Sequence, residues 1–179
     1  LDRTTFNGFR PNLTFEQNTF NRKQYANKGR NFTLSVNYYT GKENYTPGNI
    51  ARNASFYEEI DEQSHNKNWG SVKISDENYF FHKNNYSLGY LAEAVLSNLP
   101  LFSNYYSTLL VAPAFYPLQD SRSLFLEKFR AASYLAGGLK NVYTLKRNLD
   151  FRLEAYVFLP YKEIQQEGFQ NVDNNKAFS

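Results

Sequence analysis

The sequence predicts an all-β fold: an antiparallel up-and-down meander of about eight strands forming part of a transmembrane-type β-barrel. Three observations predict it. Apolar and polar residues alternate with period two in several stretches, and helical periodicity is scarce. Aromatic residues are abundant, 15 Tyr and 16 Phe, in a chain whose mean hydropathy is only −0.64. Polar on average yet rich in amphipathic rings suits a wall with one face toward lipid and one toward water. Finally, no run approaches the roughly 18 consecutive apolar residues of a membrane helix, and the leading LDRTTFNGFRP lacks an apolar signal-peptide core.

The elements follow in chain order. Residues 13–17 alternate briefly. In residues 31–39, Phe32, Leu34, Val36 and Tyr38 oppose Asn31, Thr33, Ser35 and Asn37. Residues 71–75 repeat the pattern. In residues 86–97, Tyr86, Leu88, Tyr90, Ala92, Ala94 and Leu96 oppose Ser87, Gly89, Leu91, Glu93, Val95 and Ser97, long enough for a tilted membrane strand of about 9–11 residues. Residues 105–115 are apolar on both faces and are read as a further, less diagnostic strand. In residues 151–159, Phe151, Leu153, Ala155, Val157 and Leu159 face away from Arg152 and Glu154, with Tyr156 and Phe158 joining near the end as interfacial rings do.

Turn-forming residues cluster at 27–29, 46–49, 119–121 and 146–148. Two longer polar connections are expected at 49–69, which carries Glu58, Glu59, Asp61 and Glu62, and at 160–179. Long loops on one side and tight turns on the other are a barrel asymmetry. Pro11, Pro47, Pro100, Pro117 and Pro160 are placed near strand ends, where a missing N–H breaks no ladder, and Pro113 marks a bulge or an edge.

Composition excludes several classes of chemistry. The chain has no Cys, so disulfides, thiolate metal sites and cysteine nucleophiles are excluded. The net charge of +3 is interspersed and gives no basic face for nucleic acid. No two glycines stand four apart, as a serine-hydrolase elbow requires, and the dinucleotide and phosphate-loop spacings are equally missing. His65 and His82 lie singly in polar segments and read as ordinary loop or strand-end residues. The cluster at 58–62 lacks the alternating ligands and central Gly of an EF-hand loop and reads as a solvated loop. Five Asn-x-Ser/Thr sequons, starting at Asn12, Asn31, Asn44, Asn53 and Asn85, are what 22 Asn supply by chance. No catalytic, cofactor or metal residue is assigned. The candidate functional residues are Glu93, Arg152 and Glu154, charges on polar strand faces that would line a barrel lumen, structural pairing being their expected role.

Several strings carry a resemblance: NTFNRKQYANKG at 18–29, GKENYTPG at 41–48, residues 86–117, and LFLEKFRAASYLAGGLKNVYTLKRNLDFRLEAYVFLPYK at 124–162. They resemble the C-terminal barrel region of bacterial patatin-like phospholipases with a BamA-like outer-membrane domain. The likeness spans most of residues 6–164, and none of these strings is a catalytic motif. It implies a Gram-negative outer-membrane location, with lipid and the parent's own N-terminal passenger domain as partners. It also implies that the Ser–Asp dyad, a linker domain and the closing aromatic strand lie outside a single partial barrel domain at 1–179. The expected function is therefore a non-catalytic barrel segment that anchors or translocates a phospholipase-like passenger. Its rivals are a BamA-type assembly barrel, a secreted β-sandwich binding sugar through exposed Tyr and Trp69, and an enzyme whose site lies in the wall at Glu93, Arg152 or Glu154.

Overall fold

A computed structural model describes residues 2–46, 63–146, 149–167 and 170–175. Among these residues the strands are β1 (Arg3–Phe9), β2 (Asn12–Asn18), β3 (Gly29–Thr46), β4 (Gln63–Lys83), β5 (Tyr86–Ser97), β6 (Ser133–Lys146), β7 (Leu149–Glu167) and β8 (Gln170–Asn175), with an α-helix, α1 (Tyr105–Val111), and two short 3-10 turns, Gln119–Ser123 and Glu127–Phe129, between β5 and β6. All pair antiparallel in one sheet, in the order β1-β3-β4-β5-β6-β7-β8. β2 also pairs with β3: Asn12–Asn18 run beside residues 31–37, while β1 runs beside residues 40–46. β1 and β2 are thus one edge strand interrupted at Arg10-Pro11, since Pro11 has no N–H to give the ladder. Its carbonyl still accepts from Tyr38 N at 3.1 Å. Among the described residues no pairing joins this edge to β8, and the sheet is open. The predicted all-β antiparallel meander is what the chain forms.

The two faces are sorted by residue parity, and the sorting is inverted relative to a water-soluble protein. Outward positions carry Leu13, Phe15, Val36, Val72, Ile74, Leu96, Leu135, Leu139, Phe151, Leu153 and Val157, all exposed. Inward positions include Glu43, Glu93 and Lys140, all buried. Leu153 is 64% exposed while Lys140, on the neighbouring strand, is 8% exposed. The outward face is largely apolar, and buried charges share the inner face with apolar side chains such as Val95 and Tyr134.

The inner face is concave. Arg22, on the β2–β3 connection, lies 2.7 Å from Asp150 on β7. In a flat sheet β3 and β7 would be about 19 Å apart at the usual strand spacing, so the strands must curl round the connection. Two glycines leave room for rings on this inner face. A Cβ on Gly89 would stand 2.7 Å from the Tyr79 ring, and one on Gly138 2.3 Å from the Tyr156 ring. The Gly89 seat coincides with a bulge, where Tyr79 and Phe80 of β4 oppose the single residue Gly89 of β5.

Several expectations are corrected. Residues 105–111 are helical, not strand: Asn104 caps the helix by accepting from Tyr106 N at 2.9 Å, and Pro113 follows its end. The buried Thr108, Leu109 and Ala112 follow helical spacing. Pro113 therefore marks a helix end, with no bulge or sheet edge there. The expected loop at 49–69 is strand from Gln63 onward, and 160–167 and 170–175 are strand rather than loop. Pro160 lies inside β7, opposite Tyr134 and next to a register shift at which Tyr161 is the extra residue. Pro47, the acidic cluster at 58–62 and the turn residues 147–148 lie outside the described residues.

The inner face is filled from within. Residues 98–132 bring Leu99, Phe102, Leu109 and Ala112 against Trp69 and Ile164, and Phe115 and Ala131 against Val95, Tyr134 and Ala136. Arg130 secures α1 by donating from one guanidinium nitrogen to the carbonyls of Leu109, Leu110 and Ala112 at 3.0, 3.3 and 3.3 Å, groups a helix end leaves without partners.

Candidate functional site

Between the two apolar clusters and the end where β2–β3, β4–β5 and β6–β7 connect, the inner face is charged. β4 contributes Lys73, Glu77 and Tyr79, β5 Glu93, β6 Tyr134 and Lys140, and β7 Arg152, Glu154 and Tyr156. Each occupies an inward position because its neighbours in sequence, Val72, Ile74, Leu135, Leu139, Leu153 and Val157 among them, point out.

The three residues singled out in the sequence all face this side, and each is paired. Glu93 accepts from Tyr134 Oη at 2.6 Å and lies 2.9 Å from Lys73 Nζ. Glu154 accepts from Tyr156 Oη and lies 3.3 Å from Arg152. Arg152 reaches furthest, to the backbone of the β2–β3 connection: it donates to the carbonyls of Tyr25 and Ala26, the latter at 2.7 Å. Tyr25 adopts a left-handed φ of 51°, a conformation costly for a bulky side chain and held by the surrounding contacts. Its hydroxyl donates to Asp120 at 2.6 Å, and this carboxylate raises the phenol above its ordinary ionisation range.

Sequence reasoning missed the rest of the network. Lys140 Nζ is 2.6 Å from Glu77, which also accepts from Tyr79 Oη at 3.4 Å, and Tyr79 in turn accepts from Arg152. Nearer the other end, Glu43 is fully buried: its Oε1 accepts from Ser103 N at 2.7 Å, and Lys67 Nζ stands 3.3 Å from Oε2 while donating to Leu101 O. The 3.3 Å approach is an ion-pair contact without hydrogen-bond geometry, since Oε2 has no directed donor. Face parity was the available signal. Lys67, Lys73 and Glu77 share the odd set of β4, the face opposite the even Val72 and Ile74.

Each charge in this arrangement has a partner of opposite sign within reach. Lys140 and Arg152 face Glu77, Glu93 and Glu154 round a cavity of about 80 Å³, small for a substrate pocket, and Lys73 pairs with Glu93 from beyond its lining. Among the described residues no group of His, Asp or Glu has metal-binding geometry. The fold does bring His82 Nδ1 within 2.7 Å of Ser87 Oγ across β4 and β5, a proximity not foreseen from sequence. Ser87 is 1% exposed, which shields its hydroxyl from any substrate. Trp69, offered as an exposed sugar platform, is instead buried at 3% exposure and stacked on Tyr39 at 4.5 Å.

Comparison of the chain with protein-family models, with curated proteins and with solved structures finds no match.

Proposed function

We propose that the chain is an outer-membrane β-barrel segment of a Gram-negative bacterium, non-catalytic itself, which anchors or translocates a patatin-like phospholipase passenger. The observation that carries this reading is the inversion of the two faces. In water, each outward Leu or Phe forgoes about 1.5–3 kcal/mol of burial, and a contiguous apolar surface of this extent is a liability. In lipid the same surface is favourable, and the inward charges retain partners within the wall. The outward apolar run of β3, Phe32 to Tyr38, is seven residues long, about 24 Å along the strand, which at a tilt of about 40° covers roughly 18 Å of the apolar band of about 25 Å in such barrels. Beyond it, Thr40, Lys42 and Asn44 continue the outward face as polar positions. The passenger's identity rests on the sequence resemblance alone. The same wall would serve a strand-accepting assembly barrel, for which the β1–β2 edge, unpaired on its outer side among the described residues, is the favouring feature. A sugar-binding sandwich loses its named platform, because Trp69 is buried.

The test is to express the full-length parent in its host, fractionate the membranes and compare gel mobility of boiled and unboiled samples. A heat-modifiable band in the outer membrane is expected. A freely soluble band of unchanged mobility would overturn the reading.

A further inference from the structure

A cleft on the outward face has features the wall does not need for its own stability. The bulge in β4 turns both Phe80 and Phe81 outward, 58% and 44% exposed. Beyond Phe81, the two-residue turn at Asn84 and Asn85 closes the β4–β5 hairpin, with Asn84 at φ 52°, a left-handed value Asn tolerates. Thr144 N donates to Asn85 O at 2.7 Å and ties that turn to the end of β6. Phe81, Lys83, Asn84, Asn85, Tyr86 and Tyr143 thereby enclose an open cleft of about 390 Å³. Its walls are fixed, since Tyr86 Oη donates to Asn141 Oδ1 at 2.6 Å. The Lys83 side chain makes no hydrogen bond or ion pair with any described residue.

We propose that this cleft binds the phosphate of an anionic phospholipid headgroup at the membrane boundary. The inference rests on the barrel reading and adds the headgroup. Three features favour that occupant. Aromatic rings beside a lysine at the end of an apolar strand face are the side chains that settle at the headgroup level, rings toward the glycerol region and ammonium toward phosphate. The asparagine amides supply further donors at the same rim. The local field has the right sign, because Lys23, Lys28 and Lys146 are exposed at this end with no ion-pair partner among the described residues, against Asp150, which Arg22 neutralises, and Asp120, which is held by the Tyr25 hydroxyl. A neutral choline headgroup gains nothing from that field, and an anionic one gains from each nearby lysine.

The test uses the full-length parent extracted from the outer membrane, delipidated in mild detergent and given phosphatidylglycerol or phosphatidylcholine before native mass spectrometry. Phosphatidylglycerol should remain bound at collision energies that strip phosphatidylcholine. Lys83→Gln should lower its retention about fivefold, Lys83→Arg should restore it, and Lys42→Gln, on the outward face near the other end of β3, should leave it unchanged. Equal retention of the two lipids, or full retention in Lys83→Gln, overturns the proposal while leaving a heat-modifiable barrel standing. A parent that is soluble and not heat-modifiable overturns both.

Discussion

At the scale of single residues, the inner charges act by satisfying one another, so removing one partner matters more than removing both. Lys140→Met strips Glu77 of its 2.6 Å ion pair. A fully buried orphan carboxylate would cost about 3–5 kcal/mol, and Glu77 retains enough access to reduce this to about 2 kcal/mol. The expected outcome is a lower temperature for loss of the heat-modifiable form of the full chain, largely recovered when Glu77→Leu is added. Tyr25 offers a second check. Its phenol is raised by Asp120, so the folded state favours the protonated form. Any stability from this contact is present below the phenol's unfolded ionisation range and lost as pH rises through its folded one. Absorbance titration of wild type against Tyr25→Phe should remove one phenol ionising later than a free tyrosine. Of these residues, Glu93, Arg152 and Glu154 were legible because their strands alternate cleanly. Glu43, Glu77 and Lys140 were not, for a physical reason: polar neighbours such as Asn44, Asn78 and Asn141 stand on the outward face beside them. That blurs the contrast on which parity depends.

At the scale of elements, strand existence was legible and strand length was not. The alternation at 86–97 coincides with β5, whereas β3, β4 and β7 run well past the stretches that announced them. The later part of β3 and the earlier part of β4 are polar on the outward face, the later part of β4 loses its alternation at the bulge before Phe81, and β7 is interrupted by Pro160; such sequence reads as loop until pairing partners are known. The helix was hidden because residues 105–115 are apolar on two sides, although the Asn104 cap and the spacing of Tyr105, Thr108, Leu109 and Ala112 were there to be found. Two substitutions test how elements are held. Gly138→Ala places a Cβ 2.3 Å from the Tyr156 ring and should cost about 1–3 kcal/mol. Gly70→Ala, whose nearest neighbour would be 3.7 Å away, should be nearly neutral in the same urea titration. Arg130→Ala leaves the last carbonyls of α1 without their donor and should loosen α1, read as faster amide exchange at the α1 C-terminus than in wild type.

At the scale of the whole molecule, the wall is described by its two faces and by where the apolar band stops. Leu153→Arg, in the outward run of β7, should cost about 2–4 kcal/mol of folding in lipid, while Thr40→Arg, beyond the band on β3, should cost about 0–1 kcal/mol. Equal costs at the two positions would contradict a lipid-facing band. The outward pair Arg30 and Asp76 is compatible with such a band, because Arg30 follows the first residue of β3, lies 2.7 Å from Asp76 and shares that carboxylate with Tyr90. On β4, Asp76 stands inside the strand between the outward Ile74 and Phe80, and its charge is met there by Arg30 and by the Tyr90 hydroxyl. The parity that separates the faces also bears on export. Before folding, a chain on the proposed route must cross the inner membrane, whose insertion machinery retains segments of sustained hydrophobicity. Interleaving Arg152 and Glu154 with Phe151, Leu153 and Ala155 dilutes every such window, as the mean hydropathy of −0.64 records. The charges that stitch the finished inner face would thus earlier keep the extended polypeptide from lodging in the wrong bilayer.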